Sequence, residues 1–369
     1  MNKKLIALAV GAAMGLAPMA ASAAKVTVYG QLQFELADES VDNSIDGVKG
    51  NNVTITKSNW QDNRTIEDNQ RGRFGIKASE KLGNGMTAIG QVEYDISASS
   101  NESEANPKLG SSKADSSPRI RLANVGLKGN FGTALIGTMK TPYKYWGGVK
   151  YDPFVTTNLE ARRQGGMSGG DFGQNNFFSN ALGYKSPKMN GFQFWGVYSP
   201  DENLSGRQDD GDYAAGVKYS NGPMEAFVVF SGNSYNGTTS TVADESRWKI
   251  GGKYKMGNHT FLGQYEDLSD INQVNGADGQ VYFLGYHFKS GNNTFIGQYG
   301  NAQSDLVGVK TALTDDEETD YFAIGMIHWL SKKTRLFGGY SQSSVDNLNG
   351  LKATSGDRDA FTVGIRMVF

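Results

Sequence analysis

The sequence predicts an all-β protein, a 16-stranded antiparallel β-barrel that spans a membrane. Three observations lead to this prediction. Apolar and polar residues alternate over segments of about ten residues along nearly the whole chain. The connections between these segments are short and long in turn. The chain also contains 48 Gly, 17 Tyr and 19 Phe but only 8 Pro, which is typical of many strands joined by tight turns.

The N-terminal segment has the features of a secretory signal peptide. Two lysines precede an apolar stretch that ends near residue 19, and Ala-Ser-Ala at 21–23 forms an A-x-A cleavage site. The stretch is short and rich in Ala and Gly, which argues against a membrane-anchoring helix. We therefore expect residues 1–23 to be removed and residues 24–369 to form the exported barrel.

Sixteen segments carry the two-residue alternation of a half-buried strand. In the second of them, Phe74 and Ile76 lie on one face, whereas Arg73 and Lys77 lie on the other. The predicted strands are 25–36, 70–81, 86–97, 118–128, 132–140, 175–187, 191–200, 212–220, 224–232, 246–255, 259–267, 279–288, 293–301, 319–330, 335–344 and 358–369.

The lengths of the connections indicate how these strands are arranged. Most short connections, such as LGNG at 82–85 and NGP at 221–223, contain Gly or Asn suited to hairpin turns. Strict alternation with long connections is typical of bacterial outer-membrane barrels, which have short periplasmic turns and long external loops. Sixteen strands leave space for an aqueous channel. The long connections are 37–69, 98–117, 141–174, 201–211, 233–245, 268–278, 302–318 and 345–357.

The hydropathy is consistent with strands that are apolar on one face only. The mean hydropathy is −0.47, and no apolar run after the signal is long enough for a spanning helix. Because lipid offers no hydrogen bonds, the last strand must pair with the first. In that last strand Phe361, Val363 and Ile365 alternate with Thr362 and Arg366. A soluble sandwich or propeller explains neither the alternating connections nor the charged inward faces.

Charge and cysteine content exclude several classes of function. The 36 Lys and Arg nearly balance the 38 Asp and Glu, which argues against a nucleic-acid partner. With no Cys, neither disulfides nor thiolate metal sites are expected. Residues 270–281 begin like a calcium loop but have Val274 and Val281 where ligands belong, so we expect no metal and no cofactor.

An enzyme is not expected. The segment GMSGG at 166–170 fits the nucleophile pattern G-x-S-x-G, but it lies in a Gly-rich loop rather than at a strand-to-helix turn. The three histidines, His259, His287 and His328, all lie toward the short-turn end of the predicted barrel. A histidine-based site at the outer rim therefore has no candidate.

Five segments resemble the general porins of Gram-negative bacteria, most closely the branch common in beta- and gammaproteobacteria. The resemblance extends from Val26 to Phe369 and implies a homotrimer of barrels in the outer membrane. Each barrel would be a water-filled pore for passive diffusion of small hydrophilic solutes and ions. It also implies that Phe369 helps the assembly machinery to recognise the last strand. The segments are VTVYGQLQFEL, RGRFGIKASEKLGNGMTAIGQVEY, RLANVGLKGNFGTALIGTMKTPY, NALGYKSPKMNGFQFWGVYSP and the terminal RMVF.

The resemblance also implies that the third long loop, 141–174, folds inward and forms the constriction of the pore. Its acidic residues Asp152, Glu160 and Asp171 would then face basic residues of the wall. Where many relatives have an arginine near the end of strand five, this chain has Thr138, with Lys140 on the same face. The predicted basic residues of the wall are Arg71, Arg73, Arg119, Arg121 and Lys140.

Acidic groups opposite basic groups produce a transverse field, with which polar solutes can align and apolar solutes cannot. The wall is richer in bases, including Lys77, Arg247 and Lys249, so we expect a weak anion preference. Expected partners are outer-membrane lipid and lipopolysaccharide, with which the acidic loops at 209–212 and 315–320 could share divalent cations. Solvated loop charge is the simpler interpretation of those loops.

Two other functions remain open. A channel selective for phosphate or sugars would share the fold, and aromatic side chains of the inward loop could stack on sugar rings. An adhesin or phage receptor would act through the external loops. The aromatic residues in question are Tyr143, Tyr145, Trp146 and Tyr151.

Overall fold

The computed structural model describes the barrel strands and the greater part of the third long connection. The predicted signal peptide, residues 1–23, lies outside the described residues, as do Arg71 and Asp171. No helix in the described part of the chain is long and apolar enough to cross a membrane. The described residues are 24–45, 61–67, 72–96, 119–168, 177–200, 211–234, 243–305, 311, 314–347, 351–352 and 354–369.

A single antiparallel sheet of 17 strands forms the molecule. Two strands that follow each other in the chain pair with the same edge of the first strand. The second strand pairs with residues 35–41 of the first and the third strand with residues 25–31, so together they make one barrel strand. The barrel therefore has sixteen strands, as the sequence predicts. The strands are β1 (Lys25–Ile45), β2 (Gln61–Glu67), β3 (Gly72–Gly83), β4 (Met86–Ile96), β5 (Arg119–Gly129), β6 (Gly132–Met139), β7 (Phe178–Lys185), β8 (Phe192–Ser199), β9 (Asp212–Asn221), β10 (Met224–Asn233), β11 (Glu245–Met256), β12 (His259–Ser269), β13 (Gly279–Ser290), β14 (Asn293–Ser304), β15 (Glu317–Trp329), β16 (Thr334–Asp346) and β17 (Thr354–Val368).

Among the described residues, helical structure is confined to short segments of the connections. One α-helical turn, α1, spans Pro142–Tyr145, and it is followed by 3₁₀ turns at Gly148–Lys150 and Ala161–Arg163. A further 3₁₀ turn, Ile271–Gln273, lies between β12 and β13. Three of these four segments belong to the third long connection.

The barrel is closed by pairing of its last strand with its first. β1 pairs with β17 from Gln31 opposite Val368 to Ile45 opposite Thr354. The backbone N–H and C=O of Phe369 each bond to Gly30 at 3.1 Å. A side chain at Gly30 would overlap the Phe369 ring, so glycine lets the C-terminal aromatic lie across β1.

The largest difference from the predicted strands lies at the outer end of β1. The sequence predicts a strand ending at residue 36, whereas β1 continues to Ile45 and pairs with β2 inside the predicted loop 37–69. These extensions read DESVDNSI and QDNRTIE and lack apolar alternation. A search for hydrophobic periodicity alone cannot detect strands whose sequences lack it.

Within the barrel, the alternation places apolar side chains outside and polar side chains inside. On β17, Phe361, Val363 and Ile365 are exposed on the outer surface, whereas Thr362 and Arg366 are buried inside. A hairpin at the short-turn end follows the predicted chemistry, because Asn84 and Gly85 both have positive φ.

The third long connection contacts the inside of the barrel. We call its described residues, 141–168, the lumen loop. Their apolar side chains form a buried cluster with inward-facing residues of β10 and of β12 to β16. The largest apolar core of this barrel among the described residues therefore lies within its lumen rather than between two layers. The cluster includes Tyr143, Trp146, Tyr151, Phe154, Leu159 and Met167 of the loop, and Phe227, Phe283, Tyr321 and Phe337 of the wall.

Candidate functional site

The lumen loop leaves β6 through a capped helical turn. The Thr141 side chain accepts a hydrogen bond from the Lys144 N–H at 3.3 Å, and Pro142 occupies the first helical position. Both are favourable helix-start signals, and they fix the direction of the chain directly after the strand. The loop is thereby turned toward the opposite wall.

A buried charged group attaches the first part of the loop to β11 and β12. The Tyr143 hydroxyl donates to Glu266 at 2.8 Å, and the Lys249 ammonium lies 3.2 Å from the same carboxylate. Gln264 also donates to Glu266 at 2.8 Å. Lys249 and Glu266 are completely shielded from solvent. Their attraction therefore acts in a medium of low dielectric, and each satisfies the other's charge.

The three predicted lumen bases have different surroundings. Lys249 is buried beneath the lumen loop, and Arg247 is buried beside Glu245, with which it forms an ion pair. Lys77 is exposed, and its ammonium lies 4.4 Å from the centre of the Tyr29 ring. Of these three bases only Lys77 faces water in the lumen.

Asp152 holds the tip of the loop together. Its carboxylate accepts hydrogen bonds from the backbone of Phe154 at 2.8 Å and of Ala161 at 2.9 Å. The Gln298 amide of β14 donates to it at 3.0 Å. Burial, together with the neighbouring Glu160, raises the pKa of Asp152 to about 7. The residue therefore acts on the loop backbone and on one wall strand.

Glu160 is also turned toward the loop itself. It accepts the backbone N–H of Thr156 at 2.9 Å and pairs with Arg162 at 2.6 Å and Arg163 at 3.5 Å. Thr156 has φ of +75°, which is strained for a β-branched residue. The hydrogen bond from its N–H to Glu160 helps to maintain that conformation.

Arginines of the last two strands donate hydrogen bonds to backbone carbonyl oxygens at the loop tip. Arg366 donates to the carbonyl of Val155 at 2.8 Å, and Arg335 donates to that of Pro153 at 3.4 Å. Arg358 lies 3.5 Å from a further loop carbonyl. The sequence analysis did not assign these arginines to the site, because nothing in their strand pattern distinguishes them from other inward residues.

We call β10–β17 and β1 the braced wall, because in the described part of the chain these strands supply most of the hydrogen bonds and apolar contacts with the lumen loop. One close contact between the loop and this wall is made by two glycines. A methyl group at Gly300 of β14 would overlap the backbone of Gly166. Glycine at this position of the wall lets the loop backbone lie directly on the strand.

The opposite side of the lumen, β3–β6, is the basic wall. Arg121 forms a buried pair with Glu93 at 3.0 Å and bonds to Asp95 at 2.9 Å. The pairing of β4 and β5 skips Arg121, so a bulge re-aims this side chain. Arg119 bonds to Asp95 at 3.0 Å, yet its side chain is 80% exposed.

Lys140 and Arg73 complete this wall. The Lys140 ammonium lies 4.6 Å from the centre of the Tyr145 ring. Burial lowers the pKa of Lys140 to about 8, with Glu93 opposing the decrease and Arg73 and Arg121 adding to it. Arg73 keeps a buried Nε that has no hydrogen-bond partner among the described residues.

The hydrogen bonds shown for the described loop acids run to the loop itself and to the braced wall. Asp152 and Glu160 bond to the loop and the braced wall, whereas Glu93 and Asp95 on β4 pair with the wall arginines. The physical reason is burial, because a carboxylate removed from water requires several N–H donors and the loop backbone supplies them. Asp171 lies outside the described residues.

The described residues provide few features of a dedicated ligand site. Tyr143, Trp146 and Tyr151 are buried in the apolar cluster, so their ring faces cannot stack on a sugar. Tyr145 alone of the four predicted aromatics is partly exposed. Within the described ranges, no group of three or more His, Cys, Asp or Glu is arranged to hold a metal ion.

Sequence comparison finds similarity along nearly the whole chain. The sequence pattern of the family described as Gram-negative porin matches residues 7–348. Outer membrane porin protein 32 of Delftia acidovorans is 27% identical, and the alignment covers 99% of this chain and 93% of that protein. Major outer membrane protein P.IB of Neisseria gonorrhoeae is 28% identical over 72% of this chain and 68% of that protein.

Solved structures share the fold. The anion-selective porin from Comamonas acidovorans has a TM-score of 0.67 at 20% identity, covering 94% of this chain and all of that one. The trimer form of OmpT, an outer membrane protein of Vibrio cholerae, has a TM-score of 0.61 at 16% identity, again with 94% and 100% coverage.

Proposed function

The chain belongs to the Gram-negative porin family, and we propose that its channel favours small anions among the hydrophilic solutes that it passes. As an outer-membrane porin, the protein forms a water-filled channel through which solutes cross by passive diffusion. The observation that carries the anion preference is the charge balance of the basic wall. Among its described residues are the five predicted cations, Arg73, Lys77, Arg119, Arg121 and Lys140, and the two carboxylates that pair with its arginines, Glu93 and Asp95.

The carboxylates of the wall hold the arginine side chains in position, and they do not cancel the positive charge of the wall. Arg121 is held by Glu93 and Asp95 in one position, and Arg119 extends into water from the same acid. An anion about 4 Å from such a cation gains about 1 kcal/mol in bulk water and about 4 kcal/mol near a protein surface. A cation at the same place is repelled, so the wall raises the local concentration of anions.

Arg73 supports the same proposal. It is a partly buried cation of β3, and it adds to the positive field that an anion meets along this wall. Transport of this kind needs no bond making or breaking. We therefore propose that the protein is not an enzyme, in line with its histidine positions.

A homotrimer is the proposed assembly. A similar structure, OmpT of Vibrio cholerae, is described in a trimer form, and the resemblance of the chain to general porins implies the same state. Single-channel recordings of purified protein should then show conductance lost in three equal substeps, and native mass spectrometry should give three times the chain mass. A single step together with a monomer mass would contradict the assembly.

Lipopolysaccharide is the proposed partner of the outer surface. Asp267, Asp320 and Asp359 lie on outward faces near the long-loop ends of their strands, each bonded to a tyrosine hydroxyl. Divalent cations would join these carboxylates to lipid phosphates. Lipopolysaccharide should raise the melting temperature of the purified protein with magnesium present, and chelation should remove the increase. An increase that survives chelation would contradict the cation bridge.

The decisive experiment for the channel is the reversal potential in a planar bilayer under a KCl gradient. We expect ohmic conductance and a reversal potential of the sign given by chloride permeation. A reversal potential of the opposite sign would overturn the anion preference but not the channel. Lack of any conductance from folded protein would overturn the channel itself.

A further inference from the structure

Four lysines from different parts of the chain meet on the short-turn side of the lumen loop. Lys185 is the last residue of β7, and Lys150 ends a 3₁₀ turn of the loop. Lys218 and Lys253 lie on the inward faces of β9 and β11. Lys150 and Lys218 are the charged neighbours of Lys185. We call these four residues the lysine cluster.

Their charge is only partly balanced. Lys218 and Lys253 share the carboxylate of Glu225, at 2.8 Å and 3.3 Å. In the part of the chain that the structure describes, no carboxylate forms a salt bridge with Lys150 or Lys185. Two of the four ammonium groups thus share one carboxylate, and Lys150 and Lys185 have no carboxylate partner among the described residues.

Aromatic rings hold Lys185 in place of an acid. Its ammonium lies 4.6 Å from the centre of the Trp195 ring and 5.7 Å from that of Trp146. The two indoles pack edge to face at 5.6 Å. A ring face attracts the charge without using up the three N–H donors of an ammonium group. Lys185 is therefore positioned in advance and retains donors for another acceptor.

We propose that the lysine cluster is a binding site for compact oxyanions with two or more negative charges, such as phosphate or a polycarboxylate. This inference rests on the proposed channel, and it adds a site away from the basic wall. A doubly charged anion can pair with Lys150 and Lys185 together, whereas a singly charged anion satisfies one of them. Trp146 is buried, so its indole positions the lysine and does not stack on the ligand.

Block of the chloride current tests the site. Inorganic phosphate, citrate or acetate is added to the side facing the short turns of a single reconstituted channel, and the half-blocking concentration is measured. We expect phosphate and citrate to block at concentrations where acetate has no effect. In the double variant Lys150→Met and Lys185→Met, the half-blocking concentration should rise about tenfold.

The matched control removes two lysines from the same rim but outside the cluster. Lys332→Met with Lys333→Met, in the exposed turn between β15 and β16, should change the half-blocking concentration less than about twofold. Equal changes in both double variants would show a diffuse field and overturn the site. Block by only one of the two oxyanions supports the site and identifies its ligand.

A gain-of-binding variant separates the site from a folding defect. Glu225→Gln removes the carboxylate that Lys218 and Lys253 share, so the half-blocking concentration should fall by about threefold or more. No change, or weaker block, would overturn the proposal. An unblocked but conducting wild-type channel refutes the site alone, whereas a silent channel refutes the proposed function.

Discussion

The two walls of the lumen use the same residue types for different purposes. On the braced wall, Lys249 and Glu266 are shielded from solvent and attach the lumen loop to β11 and β12. On the basic wall, Arg119 extends into water, and the buried Arg121 is fixed by acids of its own wall. The loop makes this difference, because it covers one wall and leaves the other facing the solute path.

The comparison teaches that charge content alone does not define the field in a pore. Arg247 and Lys249 add two positive charges to the sequence of β11, yet both are buried and paired beneath the loop. The exposed cations of the basic wall act on a passing ion, whereas the buried cations of the braced wall stabilise the loop. Substitutions on the two walls should therefore change different measured properties.

The largest effect is expected from breaking the braced wall at its buried charge. Glu266→Ala leaves the Lys249 ammonium buried without its partner and removes the acceptor of Tyr143. We expect a loss of about 3–5 kcal/mol in stability and a higher single-channel conductance as the loop detaches. Thermal unfolding in detergent and conductance measure both. Asp267→Ala, next on the strand but outward-facing, is the control, and an equal loss there would contradict the assignment.

A smaller effect on the same wall is expected from steric displacement of the loop. Gly300→Ala places a methyl group against the backbone of Gly166 and should cost about 1–3 kcal/mol. Gly297→Ala on the same strand meets open space and is the matched control. Thermal unfolding compares the two variants. Identical melting temperatures would show that the loop does not rest on β14.

The comparison is sharpened by a charge change on the basic wall. Arg119→Gln removes a guanidinium that extends into water, so the anion-to-cation permeability ratio should fall about fivefold, which corresponds to about 1 kcal/mol. Reversal potentials in a KCl gradient give the ratio. Arg247→Gln beneath the loop should leave the ratio nearly unchanged. If the two variants shift it equally, the walls do not differ in the way described.

The smallest effect is a pH dependence of the basic wall. Because burial lowers the pKa of Lys140 to about 8, this lysine is charged at pH 7 and neutral at pH 9. The anion preference should therefore decrease between these values, by roughly a factor of two or less. Reversal potentials measured across this range test the expectation. In Lys140→Met the step should be absent, and its persistence would assign the titration to another group.

Much of the barrel could be predicted from the sequence because strand faces repeat every second residue. The sixteen barrel strands follow from that alternation and from the connection lengths. The exceptions are the outer extension of β1 and the strand β2, because no apolar period marks their sequences. The bulge at Arg121 could not be predicted either, because it interrupts the two-residue alternation by a single residue.

The site was less predictable because it depends on the path of the lumen loop. The sequence lists acids in the loop and bases in the wall, but it does not show which partner each group meets. Asp152 and Glu160 bond to backbone N–H groups, and Arg335 and Arg366 bond to backbone carbonyls. Backbone partners of this kind carry no residue-type signal, so spacing and charge cannot reveal them.

The pairing of β1 has a consequence for how the molecule is made. One edge of this 21-residue strand bonds to β2 and β3, the next strands along the chain, but the other edge bonds to β17 and Phe369, which lie far along the sequence from it. Until β17 has paired, that edge presents an open row of amides and carbonyls on which another chain can add. Correct assembly of this protein therefore requires another molecule of the cell envelope to cover the free edge of β1 temporarily.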